Sequence, residues 1–165
     1  MNYFTLLDME EKYKIDSRRL KAQYLKALQL YHPDRAQIGE AKDYIERSMR
    51  INEAYKILSD DYERAKYILL QKGYDFQEES LRKVMSFDDL EGVLEDYSLV
   101  DNTNDILALK YKEKAKRGDI QDVVLVLNNS FEAGDFSKAL DYTVRLKYLT
   151  NLVRNIKLKI KNANS

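Results

Sequence analysis

His32, the one histidine of the chain, is followed by its one proline, Pro33, and then by Asp34 and Arg35. An imidazole and a carboxylate two residues apart could pass a proton or begin a metal site. Neither chemistry is completed elsewhere in the sequence. There is no cysteine, hence no thiol nucleophile and no thiolate ligand, and one histidine supplies no ligand cluster. The five glycines form no phosphate-cradling loop. No cofactor is implied and no metal is expected. The tripeptide is left as a turn. Pro33 restricts the backbone and lacks an N–H, while His32 and Asp34 offer hydrogen-bonding groups on either side. It reads either as an ordinary helix stop or as a tip presented to a partner.

The elements around the turn favour a built position. Asp16 and Ser17 offer capping side chains, and Leu20, Tyr24, Leu28 and Tyr31 then recur on one helical face. Arg18, Arg19, Lys21 and Lys26 occupy the other side. The proline ends this helix near Tyr31, because it disfavours the α conformation in the residue before it. A polar loop runs through Gly39. A second helix is expected from about Ala41 to Leu58, with Ile51, Tyr55 and Leu58 in register. Ser59 and Asp60 can cap a third, containing Tyr62, Ala65 and Leu69, which Gly73 ends. Tyr24, Leu28, Tyr31, Ile51, Tyr55 and Leu58 are assigned to the core.

Charge patterning changes from about Asp75. Residues 75–110 hold ten acidic side chains against Arg82, Lys83 and Lys110, whereas residues 111–165 hold eleven basic and six acidic. The totals, 28 basic and 28 acidic, cancel. That balance argues against a protein that binds nucleic acid by bulk phosphate attraction. Three amphipathic helices are expected here. The first starts at Ser86-Phe-Asp-Asp89 and carries Leu90, Val93, Leu94 and Tyr97. The second carries Ile120, Val123, Val124, Leu127 and Phe131 after a break at Gly118-Asp119. The third, after a break at Gly134-Asp135, carries Leu140, Val144, Tyr148, Leu152 and Ile156. Their apolar faces are most simply buried as a bundle. One proline and few glycines also leave too little turn chemistry for a β fold, so the expected class is all-α.

The N-terminal residues lack the basic and apolar regions of a signal peptide, and no apolar run reaches the ~20 residues that span a bilayer. The Asn128-Asn129-Ser130 sequon is therefore read as chance, and a reducing cytoplasm as the expected setting, with no membrane partner.

The run from Tyr24 to Arg35 resembles the second helix and loop of J domains. Ile51-Asn-Glu-Ala-Tyr-Lys-Ile-Leu58 resembles their third helix, Tyr3-Phe4-Thr5-Leu6-Leu7 their first, and Ser59-Asp60, Arg64-Ala65 and Tyr67 the segment that follows. The opening Met1-Asn-Tyr-Phe-Thr-Leu, Tyr13, and Ala65-Lys-Tyr-Ile-Leu-Leu-Gln-Lys-Gly73-Tyr-Asp are similar, more narrowly, to HscB-type co-chaperones. The resemblance covers the whole chain, sharply in residues 1–75 and diffusely after 80.

That resemblance implies a J domain over 1–74, a linker over 75–80 and a three-helix, scaffold-binding bundle over 81–165. It implies a co-chaperone, not an enzyme, which activates ATP hydrolysis by a DnaK/HscA-type chaperone and brings it the iron–sulfur scaffold protein IscU. His32, Pro33, Asp34 and Arg35, with Lys21 and Lys26, would meet the chaperone; Arg18 and Arg19 stay a solvated face. Arg35 stands where the family usually has lysine. Val93, Leu94, Tyr97, Asp101, Asp105 and Tyr148 fall on positions of the family's scaffold-binding patch, the stretch Gly92–Asp105 matching its first bundle helix without gaps. The alternative for Val93, Leu94, Tyr97 and Tyr148 is plain bundle core, which Leu90 and Leu152 are assigned to outright. Ser98 replaces an acidic residue and Tyr97 an aliphatic one, so affinity for the scaffold is expected to differ. Bacterial members are resembled at the N-terminus, which sets the expected location in a bacterial cytoplasm. Three other readings compete: a general J-protein delivering unfolded clients, an enzyme using His32 and Asp34, and a helical adaptor indifferent to His32→Gln.

Overall fold

A computed structural model describes residues 2–37, 39–77, 84 and 86–163, except for the side chains of Pro33, Phe87 and Asp88. Every regular element among the described residues is helical. Helices are α1 (Tyr3–Leu6), α2 (Ser17–Leu30), α3 (Ala41–Ser59), α4 (Asp61–Gln71), α5 (Phe87–Asn102), α6 (Ile106–Glu132) and α7 (Phe136–Ala163), with a 3₁₀ turn at Pro33–Arg35. The chain divides into two units, Met1–Ile68 and Leu69–Ser165. Residues 78–80 of the expected linker lie outside the described residues.

In the first unit, α1 begins where the Asn2 side chain accepts from the Phe4 amide at 2.8 Å. It stops in a Schellman motif: Asp8, at φ 50°, lets the Met9 amide reach back to the Phe4 carbonyl at 2.8 Å. The Asp16 carboxylate caps α2 by accepting from the Arg18 and Arg19 amides. Helix α2 ends at Leu30, where the sequence places the stop. It packs antiparallel to α3 around Leu20, Ile51, Ala54 and Leu58, all fully buried. Phe4, Leu7 and Tyr13 close one end of this core.

The core is narrower than the periodicity implies. Tyr24, Leu28, Tyr31 and Tyr55 are half-buried. A two-helix layer leaves its flanks open to water, and tyrosine suits such a flank with its ring inward and its hydroxyl at the edge. Tyr24 and Tyr55 stack with centroids 4.1 Å apart, and the Tyr24 hydroxyl donates to Asn52 Oδ1 at 2.8 Å.

Asp60 caps α4, accepting from the Glu63 amide at 2.8 Å. One turn on, Arg64 is 4% exposed yet satisfied: its guanidinium donates to the Tyr13 and Leu58 carbonyls, each at 2.7 Å, and to the Asp61 carboxylate. Its Cζ also lies 4.8 Å from the centre of the Tyr13 ring. Gly73, at φ 87°, then ends α4 with a second Schellman bond, from the Tyr74 amide to the Leu69 carbonyl.

In the second unit Ser86 and Asp89 form a capping box. The serine oxygen accepts from the Asp89 amide at 3.2 Å and its hydroxyl donates to Asp89 Oδ2 at 2.6 Å. The expected break at Gly118-Asp119 is absent: α6 runs through both residues for 27 residues. One mid-helix glycine costs about 1 kcal/mol, too little to interrupt a helix whose buried Leu109, Val123 and Leu127 lie on both sides of it. The break at Gly134 is present, at φ 72°, with the Asp135 amide returning to the Ser130 carbonyl. Helices α6 and α7 then pack antiparallel along their lengths. Val100, Leu109, Leu152 and Ile156 form one apolar cluster; Val144 centres another, joined by Leu90, Val93, Leu140 and Tyr148. Leu152 is buried as expected, and Leu90 is only half-buried.

Candidate functional site

The His32-Pro33-Asp34 tip is held from both sides. Ser48 on α3 donates to the Tyr31 carbonyl at 2.6 Å, and the Arg47 guanidinium lies over the Tyr31 ring at 4.9 Å. Past this anchor the chain tightens into a 3₁₀ turn, with the Arg35 amide donating to the His32 carbonyl at 2.9 Å. His32 Nδ1 sits 3.3 Å from the Asp34 amide and 3.3 Å from Asp34 Oδ2. When Nδ1 accepts from the amide, Nε2–H is left facing outward. Both side chains are exposed.

Beside the tip lies an open groove of about 380 Å³ lined by Leu25, Leu28, Gln29, His32, Asp34 and Arg35. Along the exposed crest of α2, Lys21 and Lys26 are both exposed but stand about 140° apart around the axis, at 100° per residue. Lys21 lies on the side of Leu25 and Leu28, and Lys26 on the opposite edge with Arg19. This is a surface that can steer and orient a partner; it has no nucleophile and no water-excluding cleft. Among the described residues no group of three or more His, Asp or Glu side chains could hold a metal.

In the bundle, Val93, Tyr97 and Tyr148 line one groove of about 320 Å³ together with Gly92, Asp89, Asp96 and Arg145. All three are half-buried, so they back the bundle core and still face the groove. Burial, and then the neighbouring Tyr148, push the Tyr97 hydroxyl above its ordinary pKa of 10.0. Leu94 is 68% exposed, which excludes it from the core and places it outside the groove lining. Asp101 is exposed near the end of α5.

Two family models match the chain: a DnaJ domain over residues 2–67 and an HSCB C-terminal oligomerisation domain over residues 93–157. The mitochondrial J-type co-chaperone JAC1 of Saccharomyces cerevisiae is 33% identical over 87% of this chain and 77% of its own. The co-chaperone protein HscB homolog of Acinetobacter baylyi is 30% identical over 94% of this chain and 89% of its own. The chain belongs to the HscB family of J-domain co-chaperones. The crystal structure of human co-chaperone protein HscB superposes with a TM-score of 0.89 at 25% identity, covering 96% of this chain and 82% of that one. An HscB-type co-chaperone regulates the ATPase of an Hsp70-class partner in iron–sulfur cluster biogenesis and is not itself the enzyme.

Within this HscB-type chain, one residue of the sequence-derived patch sits elsewhere than its gapless match implies. Helix α5 ends at Asn102, so Asp105 is not on it; its carboxylate caps α6, accepting from the Leu107 and Ala108 amides. The acidic run is also partly consumed inside the bundle. Asp89 pairs with Arg145 at 3.0 Å, and Asp96 sits between Lys112 at 2.9 Å and Lys116 at 2.7 Å. Burial raises the Asp96 pKa, but hydrogen bonds from Lys116 and Lys112 outweigh it and hold the carboxyl below its ordinary 3.8.

Asp89, Arg145, Asp96 and Gly92 line the HscB-type groove, yet sequence reasoning placed Asp89 only at a helix start and did not single out Asp96 or Arg145. The available signal was the reversal of charge between residues 75–110 and 111–165, which does not say which acid meets which base. Among the described residues no helix is long and apolar enough to cross a membrane.

Proposed function

We propose that the chain works through two surfaces, one on each unit. The first, in a J domain over 1–74, is the His32-Pro33-Asp34 tip with Arg35, Lys21 and Lys26, which docks on a DnaK/HscA-type chaperone and triggers its ATP hydrolysis. The second, in a bundle over 81–165 after a linker over 75–80, holds the scaffold IscU. Val93, Tyr97 and Tyr148 form its concave part, and Leu94, Asp101 and Asp105 its exposed margin. A bacterial cytoplasm is the setting of this reading, in keeping with bacterial relatives aligned over nearly the whole chain.

The observation that carries the proposal is the tip: three residues projected beyond a capped helix end, anchored by Ser48, in a chain of the HscB family. Exposure of Leu94 supports the second surface, because a large apolar side chain kept in water beside a groove is what a partner would cover.

The test is steady-state ATP hydrolysis by an HscA- or DnaK-type chaperone with this protein and IscU added separately and together. Synergy between the two is expected, lost in His32→Gln and, separately, in Leu94→Ala/Tyr148→Ala. Stimulation indifferent to IscU and to the bundle variant would instead support delivery of unfolded clients. No stimulation by the wild-type protein would sink the docking reading.

A further inference from the structure

Two glycines of the bundle sit inside helices, Gly92 in α5 and Gly118 in α6, where alanine would be the more stable choice. Neither is needed for fit: a Cβ built at either position meets nothing within 4 Å. Their surroundings differ, because Gly92 lines the groove of about 320 Å³ and Gly118 does not. Asp89, Gly92 and Asp96 fall on one stripe of α5, at i, i+3 and i+7. The two acids are drawn to different helices, Asp89 to Arg145 on α7 at 3.0 Å and Asp96 to Lys112 and Lys116 on α6. The stripe is open between them, and the bare backbone of Gly92 leaves a gap in the rim of the groove. Behind that gap the lining is apolar, with Val93, Val123, Leu149 and Leu152 beside the rings of Tyr97 and Tyr148. The charges of the lining are already paired, since Asp119 also meets Lys116 at 3.2 Å. A charged side chain entering here would have to break one of these pairs, whereas an apolar one displaces only water from apolar walls.

We propose that Gly92 is the entrance of the scaffold-binding groove: its missing side chain admits an apolar side chain of IscU, which seats against Val93, Tyr97 and Tyr148. This deepens the scaffold reading and rests on it. Any side chain at residue 92 would project from the stripe between Asp89 and Asp96 and take the space that the partner's side chain needs. Alanine would narrow the entrance, and leucine would fill part of the groove with the protein's own methyl groups. Stability and binding therefore pull in opposite directions at Gly92, and they do not at Gly118. The contrast marks Gly92 as a specificity-determining residue, whose absent side chain sets the size of what can enter.

Isothermal titration calorimetry of the full chain with IscU, beside thermal unfolding of each free variant, separates the two effects. Gly92→Ala is expected to raise Tm yet weaken IscU binding about three-fold, and Gly92→Leu to weaken it about ten-fold. Gly118→Ala, the control, is expected to raise Tm alike and to bind IscU as the wild type does. Gly92 variants that bind as tightly as the wild type would overturn the proposal and leave the scaffold reading standing. Tighter binding by Gly92→Leu would overturn it too, because the scaffold would then lie across the groove without entering it. So would equal weakening by Gly118→Ala, or a Tm lowered by Gly92→Ala, which would assign the glycine to the fold. A wild-type protein that binds no IscU at all sinks the scaffold reading, and the role of Gly92 falls with it.

Discussion

Ser48 and Tyr31 are tied across the hairpin: the hydroxyl on α3 donates to the last carbonyl before His32, at 2.6 Å. The tip therefore takes its position from α3 as well as from the helix that leads into it. Ser48→Ala leaves that carbonyl without its side-chain donor and is expected to cost about 1 kcal/mol in denaturant unfolding. Its larger effect is expected on stimulation of the chaperone ATPase, reduced several-fold at limiting co-chaperone although no residue of the tip has changed. A loss of stability without loss of stimulation would show that the tip holds its shape unaided.

Arg64 is the most heavily used buried cation among the described residues. Arg64→Met keeps much of the stem volume but strands the Tyr13 and Leu58 carbonyls, and about 2–4 kcal/mol of stability is expected to be lost. Arg64→Lys is expected to recover little, since one ammonium cannot reproduce the guanidinium fork that reaches both carbonyls. Urea unfolding of the two variants side by side checks both statements.

Gly118 meets the opposite expectation. A Cβ built there has nothing within 4 Å, and the backbone is helical, so Gly118→Ala is expected to stabilise by about 0.5–1 kcal/mol. Thermal unfolding should show a higher Tm. A lower one would mean that the glycine accommodates something other than the helix itself.

Asp96 gives the bundle an acid dependence with a definite sign. Its folded pKa lies below the ordinary 3.8, so its contribution is present above that value and lost as pH falls through the lower, folded one. The stability gap between wild type and Asp96→Asn is therefore expected to be full near neutrality and to close in strong acid. Added salt narrows it further, because all three partners keep some contact with water. A gap independent of pH would show that the loss on substitution is not electrostatic.

Residues that act on their immediate neighbours were readable from the sequence, and residues that act across the fold were not. Asp16, Asp60 and the Ser86/Asp89 pair announce helix starts because a capping side chain reaches only two or three residues ahead. Pro33 ends α2 through its own ring. Gly118 misled because a local cost of about 1 kcal/mol is judged against burial that the glycine does not itself reveal. Asp105 was placed on the wrong helix for a different reason: the last acid of one helix and the cap of the next have the same local appearance until the turn after Asn102 is fixed. For Asp89 and Asp96 the sequence supplies the charge and only the packing of three helices supplies the partner. Leu94 lay on the same face as Val93 and Tyr97 by count, and which of the three would be left in water depended on where α6 and α7 settle.

Among the described residues three helix ends close the same way, with Asp8, Gly73 and Gly134 turning the backbone left-handed and an amide reaching back five residues to an earlier carbonyl. Each closure spans so little chain that its loop entropy is slight, and it draws on no residue of a distant helix. The ends of α1, α4 and α6 are thus written into the few residues around each turn, so a change in a distant helix can alter how these rods pack without altering where they stop.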